Sequence, residues 1–259
     1  MTILDQILET KREEIALHKK QVSIEMLQES PFYHRHRLSL RQALASSPDG
    51  IIAEFKRKSP SKGFINRDAR VQDVVPEYVR CGASACSILT DSVYFGGSPE
   101  DLKTAREVVN VPLLRKDFII DAYQIAEAAA WGADVILLIA AALTPGKCQE
   151  LACVAHSLGL EVLLEVHHAG ELDRICPEVD IVGVNNRNLS TFVTDIYTSF
   201  ELAQQIPAIF PKISERGIGS IDTVRALQEA GFKGFLIGER FMKEEQPGRA
   251  LKNFIQNVD

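Results

Sequence analysis

Several short apolar runs of this 259-residue chain end on residues that can move protons or hold anions. The first run, 51–55, contains Glu54 and is followed by Lys56 and by Ser59-Pro60-Ser61. The next leads into Thr90 and Asp91, and the third into Arg115, Lys116 and Asp117. Glu165 sits inside Val162-Leu163-Leu164-Glu165-Val166. Later runs lead into Asn185, Asn186 and Arg187, then Ser214, Glu215, Arg216 and Gly217, and finally Gly238 and Glu239. Lysines, glutamates and arginines converging on one pocket suit acid–base work on an anionic substrate. Gly217 and Gly238 would let a phosphate come close to backbone N–H groups.

Each of these residues also has a plain structural reading. Glu54 and Lys56 lie two apart on a strand and face one side, so they could simply neutralise each other. Lys116 could be a solvated strand-end lysine, Glu215 a loop charge, and Asn185-Asn186-Arg187-Asn188 an ordinary turn. Their joint occurrence at the ends of successive runs favours function. Metal chemistry is not expected. Of six histidines, His34 and His36 fall in a polar linker, and the adjacent His167 and His168 would point to opposite faces of a strand. There is no HExxH.

The elements that must position these residues alternate regularly. Apolar runs at 51–55, 85–89, 111–114, 135–139, 162–166, 181–184, 212–214 and 234–237 read as eight strands. Helix-like stretches at 99–109, 122–130, 145–156, 196–205 and 221–230 lie between them, with Gly132, Gly159 and Gly231 as C-terminal stops. Alternation predicts a parallel sheet with helical crossovers, and eight units predict a closed (β/α)8 TIM barrel. No GxGxxG or GxxxxGK[ST] supports a dinucleotide or P-loop site. The first residues read as a helix with Ile3, Leu4, Ile7 and Leu8 on one face and Ile15 further along. Ser39 and Gln42 fit a capping box for a short helix through Leu44. The expected organisation is one barrel domain over 1–259, with 1–48 as an N-terminal helical extension packed on it.

Composition sets the outer limits. A formal net charge of −6 argues against nucleic-acid or anionic-membrane partners, though not against a local basic pocket. The N-terminus mixes apolar and charged residues and lacks a signal-peptide core, so a cytoplasmic location is expected. Five cysteines without a CxxC pair read as buried reduced thiols. A monomer or weak homo-oligomer is expected.

The segments IIAEFKRKSPSKGFI (51–65), FGGSPEDL (95–102), PLLRKDFIID (112–121), ADVILLIAAAL (133–143), LLEVH (163–167), VGVNNRNL (182–189), SERGI (214–218) and FLIGERFM (235–242) resemble the signatures of indole-3-glycerol phosphate synthases. The resemblance runs from about residue 38 to 243, in order. It implies a cofactor-free step of tryptophan biosynthesis. The implied substrate is 1-(2-carboxyphenylamino)-1-deoxyribulose 5-phosphate, and the products are indole-3-glycerol phosphate, carbon dioxide and water. It puts the catalytic lysine on Lys116 and the catalytic glutamate on Glu165. Glu54, Lys56, Asn185 and Glu215 complete the catalytic set. It assigns substrate contacts to Ser59 and Arg187, apolar walls to Phe95 and Phe118, and the phosphate site to Gly217, Gly238 and the adjoining Glu239. Arg216 stands where the family commonly has serine, and is expected to add positive charge near the substrate. Arg240 stands where a small polar residue is usual.

A lysine among cations, or a glutamate in an apolar strand, tends toward its neutral form. On that ground Lys116 and Glu165 are both expected to titrate nearer neutrality. Two rival readings remain from sequence: another phosphosugar barrel such as an isomerase or epimerase, and a non-catalytic metabolite-binding barrel.

Overall fold

The computed structural model describes residues 2–188, 191 and 193–257. Eight parallel strands close into a barrel: β1 (Ile51–Phe55), β2 (Ala85–Leu89), β3 (Leu113–Lys116), β4 (Val135–Ile139), β5 (Glu161–Val166), β6 (Ile181–Asn185), β7 (Lys212–Glu215) and β8 (Phe232–Ile237). Each strand pairs with its neighbours in sequence, and β1 closes on β8 through Ile51 opposite Phe235. The (β/α)8 TIM barrel expected from the alternation is the observed fold. The third strand lies two residues later than the apolar run suggested, because Arg115 and Lys116 continue the pairing beside Ile88 and Leu89.

Helices occupy most crossovers, and their ends follow local chemistry. α5 (Pro99–Val108) starts on a Ser98 side-chain cap with proline in its first turn, and α7 (Pro145–Ser157) does the same on Thr144. α6 (Ala122–Ala130) has a reciprocal capping box between Asp121 and Gln124. α8 is Tyr197–Ala203 and α9 is Ile221–Glu229. Gly132, Gly159 and Gly231 take positive φ after their helices, the conformation a stop requires.

The sequence reading named no helix between the first two strands, where α4 (Val71–Arg80) stands. Pro76 within it argues locally against a helix, but Val71, Val74, Val75 and Tyr78 bury one face against the barrel. It also missed α10 (Glu239–Met242), α11 (Pro247–Gln256) and a short hairpin of Lys58–Ser59 with Gly63–Phe64. All five cysteines are free thiols. Cys86 and Cys148 are buried as expected; Cys153 is exposed, and Cys81 and Cys176 are half-buried.

Two apolar layers hold the barrel. The larger lies between sheet and helices. The smaller fills the barrel interior with Ile52, Ala85, Leu114, Val135, Leu137, Leu163, Ile181, Ile213 and Leu236. α3 (Leu40–Ser46) plugs the bottom with Leu40 and Leu44, and its Ser39 cap both accepts from Gln42 N–H and donates to Glu161. The N-terminal extension continues with α1 (Ile3–Gln21) and α2 (Ile24–Gln28), which pack on α6.

α1 is more than a cover. Ile7, Lys11 and Ile15 form its buried stripe at helical spacing, and the lysine is wholly enclosed. Lys11 Nζ lies 2.9 Å from Glu14 and 3.0 Å from both Asp91 and Asp117. Burial opposes its charge, but Asp117, Asp91 and Glu14 outweigh burial and raise its pKa. Replacing Lys11 with Met should leave buried Asp91 without a cation and Asp117 with Arg115 alone, and destabilise the fold by about 3–5 kcal/mol. Arg12→Met, which removes only the exposed pair with Glu9, should be nearly neutral. Urea unfolding of the two variants checks this; equal effects would show that Lys11 carries no special load.

Candidate active site

Successive strand side chains alternate in direction, and the inward set is apolar low in the barrel and charged at its mouth. Ile52 is followed two residues later by Glu54, Leu114 by Lys116, Leu163 by Glu165 and Ile213 by Glu215. The strand ends therefore bring the charged residues together. Lys116 Nζ lies 2.9 Å from Glu165 Oε2 and also donates to Glu215 Oε2. Lys56 Nζ donates to Glu54 Oε1. All five side chains are nearly enclosed.

Electrostatics overturn one expectation. Lys116 is not a lysine among cations. Burial alone would lower its pKa, but Glu165, Glu215 and Glu54 outweigh burial and hold it well above the usual lysine value. Glu165 is likewise not neutral. Burial would raise it, yet Lys116 and then His167 keep it well below the usual carboxylate range. The group pushed toward neutrality is Glu215, raised to about 7 by burial and by repulsion from Glu165, against the pull of Lys116. Lys56 is lowered by burial first, with Arg216 and Lys116 adding to it and Glu54 opposing. Glu54 would be raised by burial, but Lys56, Lys116 and Arg216 hold it below its usual value.

Two halves of one mouth meet over this cluster. On one side Ile3, Leu4 and Ile7 of α1 face Leu89, Phe95, Phe118 and Ile139 across an apolar slot. The rings of Phe95 and Phe118 lie 6.1 Å apart at 37°. On the other side Lys62, Arg187, Arg216, Arg240 and Lys243 surround Gly217, Gly219 and Gly238. Glu54, Lys56, Lys116, Arg187 and Arg216 belong to both halves. An aromatic group and a phosphate could thus be held apart with the acid–base cluster between them.

Most of the expected residues reach this mouth, but several act differently from expectation. Asn185 lines it and accepts the Arg187 N–H through Oδ1 at 3.0 Å. Ser59 is buried in the hairpin with no hydrogen-bond partner for its hydroxyl, whereas Ser61 lines the slot and accepts from Arg187 Nη1 at 3.1 Å. The Glu239 carboxylate accepts from Lys62 at 2.6 Å. Gly238 makes room for a side chain: a Cβ there would come 2.5 Å from Glu54 Oε1. Gly217 and Arg216 both take positive φ, at 73° and 67°. For arginine that conformation costs on the order of 1 kcal/mol.

Sequence reasoning missed the roles of four residues. Gly183 lets Glu215 fit, since a Cβ would lie 2.8 Å from Glu215 Oε1, and a glycine inside an apolar strand was a readable signal for that. Lys11 sits where the apolar stripe of α1 should continue. Asp91 accepts from the N–H groups of Tyr94 and Phe95 and so fixes the Phe95 turn. His167, taken only as part of a motif, stands 3.3 Å from Glu165 Oε1. Among the described residues no group of three or more His, Cys, Asp or Glu side chains could hold a metal ion, and no helix is long and apolar enough to cross a membrane.

Barrel, enclosed acid–base cluster and cationic rim define a (β/α)8-barrel enzyme for an anionic substrate. A sequence model described as indole-3-glycerol phosphate synthase matches residues 4–254. A protein of that name from Bacteroides thetaiotaomicron is 55% identical over 99% of this chain and 98% of its own length. Another from Burkholderia vietnamiensis is 43% identical over 96% of this chain and 97% of its own. The chain belongs to the indole-3-glycerol phosphate synthase family. Solved structures share the barrel at low identity. 3-Hexulose-6-phosphate synthase superposes with a TM-score of 0.65 at 11% identity, over 81% of this chain and 100% of that one. The N-acetylmannosamine-6-phosphate 2-epimerase of Clostridium perfringens gives 0.62 at 13%, over 87% and 99%. These last two establish fold alone.

The Glu215 ionisation has a consequence for stability. Between 4.5 and about 7 the folded chain keeps a proton on Glu215 that the unfolded chain has released. Its contribution is complete below 4.5 and lost as pH rises through about 7. Wild-type stability should therefore fall relative to Glu215→Gln over that interval. Urea unfolding of both proteins at the two ends of the interval tests it, and a constant difference would contradict it.

Proposed function

We propose that this mouth carries out the family reaction, closing an indole ring on 1-(2-carboxyphenylamino)-1-deoxyribulose 5-phosphate with loss of carbon dioxide and water. The protein is a carboxy-lyase of tryptophan biosynthesis. The observation that carries the residue assignment is the Lys116 ammonium held between Glu165 and Glu215, with an apolar slot on one side and a cationic rim on the other.

The substrate's aromatic ring enters the slot beside Phe95 and Phe118. The phosphate lies toward Gly217 and Gly238, within the field of Arg216, Lys62 and Arg240. Lys116 points its ammonium at the ketone oxygen, where negative charge develops as the ring carbon attacks, and supplies the proton. Lys56 and Arg187 hold the substrate carboxylate until it leaves as carbon dioxide. The electron pair from that bond restores the aromatic ring, so no separate electron sink is required. Glu165 and Glu215 serve the dehydration, with Glu215 poised near neutrality to give or take a proton. Glu54 holds Lys56 in place and opposes the lowering of its pKa by burial. Asn185 and Ser61 orient Arg187. We place the activity in the cytoplasm, in one barrel domain over 1–259 that acts as a monomer or weak homo-oligomer without nucleic-acid or membrane partners. The acidic net charge supports this.

A phosphosugar isomerase would need no group to hold a carboxylate beside an aromatic slot, and a non-catalytic barrel would have no use for the enclosed ion cluster. Lys116→Met and Glu165→Gln keep approximate size but remove the ammonium donor and the carboxylate acceptor of protons. Each should lower kcat by roughly two to four orders of magnitude, with a much smaller change in substrate Kd. Indole fluorescence gives kcat, and titration of the inactive variants gives Kd. Near-normal kcat with strongly weakened Kd would make either residue a binding group. Turnover should persist in excess EDTA; loss on chelation with recovery on adding a divalent ion would sink the cofactor-free reading.

Arg216→Ser should keep the reaction and change KM by less than about tenfold, or about 1.4 kcal/mol. Complete inactivation would show that the arginine has an essential part.

A further inference from the structure

The reaction consumes a proton, and the acid–base groups that would supply it are nearly enclosed. The substrate carboxylate enters as an anion and leaves as neutral carbon dioxide. When the ring carbon bonds to the carbonyl carbon, the carbonyl π pair moves to oxygen, which takes one proton. The bond to the carboxylate breaks and returns its electron pair to the ring. The new hydroxyl takes a second proton and leaves as water, while the neighbouring carbon gives one up. Two protons enter and one departs, so each turnover draws one net proton from solvent. Lys116, Glu165 and Glu215 are nearly enclosed, and α1 roofs the slot above them.

A line of ionisable side chains leads from this cluster toward a second cleft. Glu165 turns Oε2 to Lys116 and Oε1 to His167 Nε2, 2.9 and 3.3 Å away. Nε2 is buried and makes no conventional hydrogen bond. On the far edge of the ring, Nδ1 lies 3.3 Å from Glu171 Oε2. That same oxygen accepts the His167 backbone N–H at 2.6 Å, which fixes residue and carboxylate together. Glu171 Oε1 lies 3.3 Å from Nε2 of His168, whose side chain is 68% exposed. His167, Glu171 and His168 line a second cleft with Asn186, Asp195 and Thr198, which shares Leu4 and Asn185 with the reaction mouth. His167 is thus enclosed between two carboxylates, one facing the chemistry and one facing a cleft.

We propose that His167 is a proton-delivery and positioning residue: it passes protons from the Glu171–His168 cleft to Glu165, and so recharges the acid–base cluster after each turnover while substrate or product occupies the mouth. Imidazole suits this because one ring nitrogen can accept a proton as the other donates. Burial disfavours the charged ring, but Glu165 and Glu171 outweigh burial and raise its pKa to about 9, so it holds a proton at neutral pH. His167 acts through Glu165 and need not touch the substrate.

The proposal rests on Glu165 being a proton-transfer group, so Glu165→Gln is assayed in parallel. His167→Asn and Glu171→Gln are mixed with 1-(2-carboxyphenylamino)-1-deoxyribulose 5-phosphate, and the first turnover is followed separately from the steady state by indole fluorescence. The first turnover uses protons already resident on the cluster and should stay close to wild type. The steady-state kcat should fall about tenfold or more, and added imidazole should restore much of it in His167→Asn. A purely structural role would slow both phases together and leave imidazole without effect, which would overturn the proposal. So would a wild-type steady state in both variants. If His167→Asn fails to fold, Glu171→Gln breaks the same line one step further out and decides the matter through the same two phases. A near-normal kcat in Glu165→Gln would instead fail the reading of the site. Loss of activity there, with both His167 and Glu171 variants unaffected, would fail the relay alone.

Discussion

The buried ion cluster around Lys116 is the constraint on which the mouth depends. Glu165 and Glu215 cannot both be ionised side by side in an enclosed site without a cation between them, and Lys116 is that cation. Its position follows from three strands. β3 raises it from the floor, β5 and β7 raise the two carboxylates, and Gly183 on β6 leaves the space Glu215 occupies. Between two acids Lys116 is held toward its charged form, and Glu215 is the group raised toward neutrality.

The outer parts of the protein serve this cluster. α1 closes the apolar slot with Ile3, Leu4 and Ile7, and Lys11 secures it to Asp91 and Asp117. Those two aspartates are placed usefully. One fixes the turn that carries Phe95, and the other directly follows Lys116 in the chain and also pairs with Arg115. The N-terminal extension is therefore coupled to the reacting groups by a buried ammonium as well as by the apolar residues that close the slot. Arg57 does comparable work for the β1 exit, where its guanidinium forks onto Asp101 at 2.6 and 2.8 Å.

Arg216 shows how a departure from the family pattern can be accommodated. It sits at positive φ, which disfavours any side chain, and points a cation into a rim that already holds Arg187 and Lys62. The local strain and like-charge crowding both oppose it. A doubly charged phosphate brought to that rim would offset the crowding.

The sequence by itself determined the barrel and most of its mouth. Short apolar runs separated by amphipathic stretches, three of them stopped by glycine, admit few other architectures, and the strand exits named Glu54, Lys56, Lys116, Glu165, Asn185, Arg187 and Glu215 without coordinates. What it could not determine was who faces whom. Lys116 stands beside Arg115 in sequence, yet in space it meets carboxylates 49 and 99 residues away. The pKa of Lys116 is therefore raised where a lowered one was expected, and that of Glu165 is lowered where a raised one was expected. The same holds for Ser59 and Ser61, two residues apart in a hairpin whose pairing decides which hydroxyl reaches Arg187. Lys11 reads as surface charge until Asp91 and Asp117 are brought over it. A pKa or a contact depends on the sum of all nearby charges and on exclusion of water, and both are set by closure of the barrel. Local sequence fixes the period of an element; only the packed tertiary structure fixes its neighbours.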